Sequence, residues 1–271
     1  MKTRNKRQSH NKTLKMNCHP NNKDKLHGDT CYTPDALLQI RDAYNQSHSK
    51  KIKGSRPTTI YKKLRENLSH CEKEDCWMDQ IQDKNVKYEL DRLLFAPDSP
   101  ADWKQNPTSW LSNYDIRDVL RQYEMAHSNF KLLGPSSIDY DTVLSDGKCV
   151  WDDLCRLSLH DLHSRNKRKL GIVFNLDKHH EPGSHWISLF VDSDEGKIIY
   201  YDSAVNPCPK EVDRLIAEIC KQGSALEEPI HYDVVKNKYS HQSTNTECGM
   251  YSIFFIITML TNKLHKRVHN E

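Results

Sequence analysis

Residues 248–260, CGMYSIFFIITML, are apolar nearly all round. The run falls short of the roughly 20 residues a helix needs to cross a bilayer, so it has to be a helix enclosed by the core of a folded domain. A chain that buries such a helix must supply layers to cover it, and the sequence just upstream does so. Three strand-like runs follow in close order: LGIVFNLD (170–177), HWISLFVD (185–192) and KIIYYDS (197–203). The link Ser193-Asp194-Glu195-Gly196 is rich in turn formers and makes an antiparallel hairpin of the second and third. PKEVDRLIAEICKQ then reads as a helix, with Pro209 near its first turn and Val212, Leu215, Ile216 and Ile219 on its inner face. A strand around HYDVV completes an α+β pattern with a central sheet.

Toward the N-terminus the texture changes. Thr33-Pro34-Asp35 caps a helix that carries Leu37, Leu38, Ile40 and Ala43 and ends near Asn45. A polar stretch separates it from a second helix with Ile60, Leu64 and Leu68 on one side. A third periodic segment, through Ile116, Val119, Leu120 and Tyr123, lies beyond the PDSP turn. The expected organisation is a disordered basic tail at 1–30, a helical arm at 31–98 and a catalytic domain at 99–271.

Composition excludes some classes of function. With 36% hydrophobic and 28% charged residues and no long apolar run, the chain does not read as an integral membrane protein. The opening MKTRNKRQ is not followed by the apolar region of a secretory signal, so an intracellular protein is expected. Nine cysteines at irregular spacing, an odd number in a large chain, are expected to be free thiols. His70, Cys71 and Cys76 form one loose couple, whereas structural zinc sites show paired tight couples; no metal or cofactor is expected. Residues 1–30 hold eight Lys or Arg against Asp24 and Asp29, a solvated tail suited to weak nucleic-acid contact. The knot Arg165-Asn166-Lys167-Arg168-Lys169 reads as an exposed loop. Nothing in the sequence sets the oligomeric state.

The chemistry falls at the ends of these elements. His185 opens one strand of the hairpin and Asp202 closes the other, so an imidazole and a carboxylate share the open end of the sheet. The carboxylate would fix the ring's tautomer while the other ring nitrogen faces a thiol. Cys248 stands at the N-terminus of the buried helix, where the dipole and a neighbouring imidazolium can bring a thiol from roughly 8.5 into the range of about 3.5–7.5. Gln242 is placed to donate its amide to the oxyanion of an acyl-transfer intermediate, with the Cys248 N–H as second donor. Gly249 leaves room for a substrate carbonyl, and the Glu247 carboxylate is expected to face solvent. Taken singly, a His in a strand, a Cys before an apolar helix and an Asp after a strand are ordinary packing or turn residues. Their joint order and placement carry the reading. Cys149, Cys155, Cys208 and Cys220 lack such a setting, and His241 fits a loop better than a base.

The pattern Gly-Ser-His185-Trp186, then Asp202 in YYDS, then Gln242 and Cys248-Gly249 resembles the ubiquitin-like-protein (SUMO) proteases and adenain-like viral maturation proteases. The runs VFNLD, HWISLFVD, YYDSA and HQSTNTECGMYSIFFI are most similar to the African swine fever virus type. The resemblance implies a papain-like cysteine protease fold with a central mixed sheet, and His185, Asp202 and Cys248 as the catalytic triad. It also implies that Trp186 lines a narrow channel for a small-residue substrate tail, with cleavage after Gly-Gly or Ala-Gly. A viral polyprotein maturation protease, in the virion or host cytoplasm of a large DNA virus, is the reading that follows. A SUMO or ubiquitin-like isopeptidase and an acetyltransferase on the same fold are the alternatives.

Overall fold

The computed structural model describes residues 17–261. They form two compact units that divide between Ala96 and Pro97. The first holds α1 (Pro34–Ser47), α2 (Pro57–Asn67), the 3-10 helix η1 (Glu74–Gln80) and α3 (Lys84–Leu94). Thr33 caps α1, its hydroxyl accepting the Ala36 N–H at 3.2 Å. Leu37 and Ile40 of α1 and Ile60 and Leu64 of α2 pack around Tyr32 and Trp77, whose rings stack at 5.2 Å. The carboxylate of Glu74 is fully buried in this core, accepting from the Thr30 and Tyr61 hydroxyls (2.7 Å each) and the Cys31 N–H.

Two expectations are corrected here. Residues 17–30, assigned to the tail, belong to this unit: Cys18 bridges Phe95, the His19 N–H reaches the Leu94 carbonyl at 3.0 Å, and Cys18 is bonded to Cys31. The basic residues at 1–16 lie outside the described residues. Nor are the cysteines all free: Cys18–Cys31, Cys71–Cys76 and Cys149–Cys155 are disulfides, leaving Cys208, Cys220 and Cys248. Each pair closes a short loop, and spacing alone does not reveal which loops turn back on themselves.

The second unit is built on a mixed sheet in the order β1-β2-β3-β4-β5. Its elements are the 3-10 helix η2 (Ala101–Lys104), α4 (Asn113–Ala126), β1 (Phe130–Ser137), α5 (Asp152–Cys155), α6 (Leu159–Ser164) and β2 (Lys169–Asn175). After these come β3 (Trp186–Asp192), β4 (Lys197–Tyr201), α7 (Lys210–Ser224), β5 (Asp233–Lys236) and α8 (Cys248–Thr261). The outer pairs β1/β2 and β4/β5 are parallel; β2/β3 and β3/β4 are antiparallel. Helices cover both faces. On one, Ile172, Phe174 and Leu189 meet Val212, Leu215 and Ile219 of α7. On the other, Phe130, Val173 and Phe190 meet Ile116 and Leu120 of α4 and Ile253 and Ile256 of α8. Burial on both faces is why β2 and β3 read as continuous apolar runs. Gly171 sits under α8: a Cβ there would stand 2.8 Å from the Phe130 ring and 3.0 Å from Ile256.

The basic knot is a structural joint. Lys167 donates to the Ser128 and Phe130 carbonyls, Arg168 pairs with Asp194 at 2.9 Å, and Lys169 pairs with Asp192.

Candidate active site

The β3–β4 ladder pairs Asp192 with Lys197 and ends at Ser188 opposite Tyr201. One step further puts Asp202 opposite Ile187, two residues from His185 and so on the same face, within reach of a diagonal contact. The His185 Nε2–H donates to Asp202 Oδ1 at 2.6 Å. Nδ1 is therefore the nitrogen left to face the sulfur, and Cys248 is near enough to act on the ring's charge. Cys248 is the first residue of α8 and is 1% exposed.

Asp202 is buried completely. Its Oδ1 also accepts the Ala204 N–H at 2.8 Å, and Oδ2 accepts the backbone and side-chain N–H groups of Asn206, each at 2.9 Å. Val205 reaches φ 60° between them, bending the chain so that these donors converge. Asn237 fixes the backbone, accepting the Asp202 N–H at 2.9 Å and donating to its carbonyl at 2.8 Å. Asn206 and Asn237 escaped the sequence reading. The DSAVN stretch carried a signal for the first, since an Asn shortly after an Asp in a turn is a ready local donor.

The charges follow from this geometry. Burial opposes the Asp202 carboxylate, yet the bonds from His185, Ala204 and Asn206 outweigh it and hold its pKa below the usual range. Burial likewise opposes a charged His185, but its bonds to Asp202 and Cys248 raise it to about 9. Burial raises the Cys248 thiol; the bond to His185, with backbone N–H groups of Trp186 and Gly249, reverses that and lowers it. Both shifts favour the thiolate–imidazolium pair over the neutral thiol and imidazole.

Gln242 is held from one side: its amide oxygen accepts the Ser203 hydroxyl at 2.6 Å and its N–H reaches the Ser203 carbonyl at 3.3 Å. That anchoring leaves the amide nitrogen as the available donor. Trp186 is buried, its indole N–H donating to the Leu111 carbonyl at 3.0 Å. Gly249 is a packing requirement: a Cβ there would meet Leu111 at 3.1 Å and Trp186 at 3.4 Å, before any substrate is considered. Glu247 does not simply face solvent, because its carboxylate accepts the Ser243 and Thr244 N–H groups at 2.8 and 3.2 Å and ties down the loop ahead of Cys248. His241 lies against the Tyr201 ring at 5.6 Å. A cleft of about 530 Å³ opens beside Trp186, lined by Leu111, Ser136, Trp151 and His179 among others.

Residues 165–270 match the model of the Ulp1 protease family, C-terminal catalytic domain. Over that span the protein carries a Ulp1-like peptidase domain. It is similar to the thiol protease R355 of Acanthamoeba polyphaga mimivirus, 29% identical over 91% of this chain and 85% of that one. It is also similar to the SUMO-1 cysteine protease S273R of African swine fever virus, 27% identical over 79% and 81% of the two chains. The crystal structure of the African swine fever virus pS273R protease shares the fold, with a TM-score of 0.62 at 20% identity over 92% of this chain and 88% of that one. The protein is a cysteine-type peptidase with an α+β fold built on a five-stranded mixed sheet. No described helix of this peptidase is long and apolar enough to cross a membrane.

Proposed function

We propose that this peptidase is a cysteine endopeptidase that cleaves after small residues, in Gly-Gly-X or Ala-Gly-X sequences, and matures a structural polyprotein of a large DNA virus. The observation that carries the reading is the His185 ring, held by Asp202 through Nε2 and set against Cys248 at the head of α8. In this mechanism the Cys248 thiolate attacks the carbonyl carbon, and the carbonyl electrons move onto an oxyanion that receives the Gln242 amide and the Cys248 N–H. The His185 imidazolium gives its proton to the leaving amine as the C–N bond breaks, leaving a thioester. Neutral His185 then takes a proton from water, hydroxide attacks the thioester, and the thiolate returns. Asp202 keeps the ring oriented throughout. In this reading the Trp186 indole, held by its bond to the Leu111 carbonyl, forms the wall along which the small residues of the substrate lie.

A SUMO or ubiquitin-like isopeptidase is the second reading, favoured by the name of the African swine fever virus relative. Both use the same chemistry on a protein substrate and differ in whether a folded modifier is recognised. The test is cleavage of a Gly-Gly-X peptide and of a folded SUMO or ubiquitin fusion, by the wild-type chain and by Cys248→Ala. Cutting of the peptide alone is expected, and it should vanish in the variant. Cutting of the fusions favours the isopeptidase, and activity that survives Cys248→Ala rejects the mechanism.

A further inference from the structure

We infer that Asp139, His179 and His180 form a binding site for a divalent ion of the zinc class at the rim of the cleft. The two histidines lie on the loop between β2 and His185, and Asp139 follows β1, so the set joins segments distant in sequence. Each side chain offers one ligand atom, and the three atoms lie within 4.8 Å of one another. Asp139 is buried and already aimed: Oδ1 accepts the His179 N–H at 3.0 Å and Oδ2 lies 2.7 Å from His179 Nδ1. Both histidines are exposed, their rings edge to face at 5.0 Å, so an ion reaches them without opening the fold.

Two imidazoles and a carboxylate suit zinc, and three protein ligands leave a fourth position for water. Tetrahedral ligands about 2.0–2.1 Å from zinc stand roughly 3.3 Å apart. The Asp139–His179 pair therefore widens slightly as the ion replaces the proton between them, which is released to solvent. An ion pair accounts for Asp139 and His179 alone; His180 is what makes the pair a three-ligand set. Because His179 also lines the cleft beside Trp186, a bound ion would join the segment after β1 to the loop after β2.

The test uses the untagged full chain carrying Cys248→Ala, which removes the thiol beside His185 as a competing ligand. Zinc chloride is titrated by calorimetry, and cobalt(II) reports coordination through its visible absorption. One saturable site is expected, with affinity falling at least about tenfold in His180→Ala and again in Asp139→Asn. Thermal melts without metal confirm that the variants fold; exposed His180 leaves the core intact on substitution. No saturable binding, or binding that His180→Ala leaves unchanged, overturns the site. The peptidase reading is untouched by either result, because it is decided by the cleavage assays on wild-type protein.

Discussion

Asp202 shows what single residues contribute. An ion-pair partner that is fully buried costs several kcal/mol unless its lone pairs are filled, and here Ala204, Asn206 and His185 fill them. Losing one side-chain bond to a carboxylate is worth about 1.5–3 kcal/mol. Asn206→Ala, which keeps the backbone N–H, should therefore lower kcat about tenfold or more with KM little changed, as steady-state kinetics on the peptide would show. The pH profile of kcat/KM tests the charges. His185 is raised to about 9, so the charged ring is present below that pH and is lost as pH rises through it. Cys248 is lowered, so the thiolate persists above its depressed pKa and is lost as pH falls through it. A plateau with its upper limb near 9 is expected. Asp202→Asn removes the charge that supports the imidazolium and should move that upper limb downward; an unmoved limb would assign it to another group.

Among the elements, the contact of α8 with β2 controls where the thiol stands. Gly171→Ala would push on Phe130 and Ile256, and overpacking of this kind costs about 1–3 kcal/mol. The expected outcome is a lower urea midpoint together with reduced turnover, because the displaced helix carries Cys248 at its first turn. The sheet also explains what the sequence disclosed. β2 and β3 were legible because both faces are buried and most residues are apolar; α8 was legible from its apolar run, although it is not enclosed all round, since Met250 and Phe254 stand exposed. β1 was not: Gly134-Pro135 interrupts it, and its register with β2 shifts between Leu133 and Ser136, an irregularity that only the neighbouring strand makes tolerable. The order His185, Asp202, Cys248 could be read because each residue marks the end of a legible element. The Asn237 clamp could not, since it returns 35 positions after Asp202 from a segment with no periodicity of its own.

Across the whole molecule, the disulfides and the hairpin set the terms. With three pairs formed, thiol titration in denaturant without reductant should count three cysteines, Cys208, Cys220 and Cys248. A count of nine would mean that the pairs close only by proximity. The β3–β4 ladder has a subtler effect. Along a strand, successive positions alternate between two faces, so the meeting of His185 with Asp202 depends on parity as well as on residue type. Deleting one residue within β4 would leave both side chains in the chain and turn the carboxylate to the opposite face. Deleting two would restore the face at a shorter reach. The number of residues between ring and carboxylate is thus itself inherited chemistry: its parity sets the face and its length sets the reach, whatever the letters between.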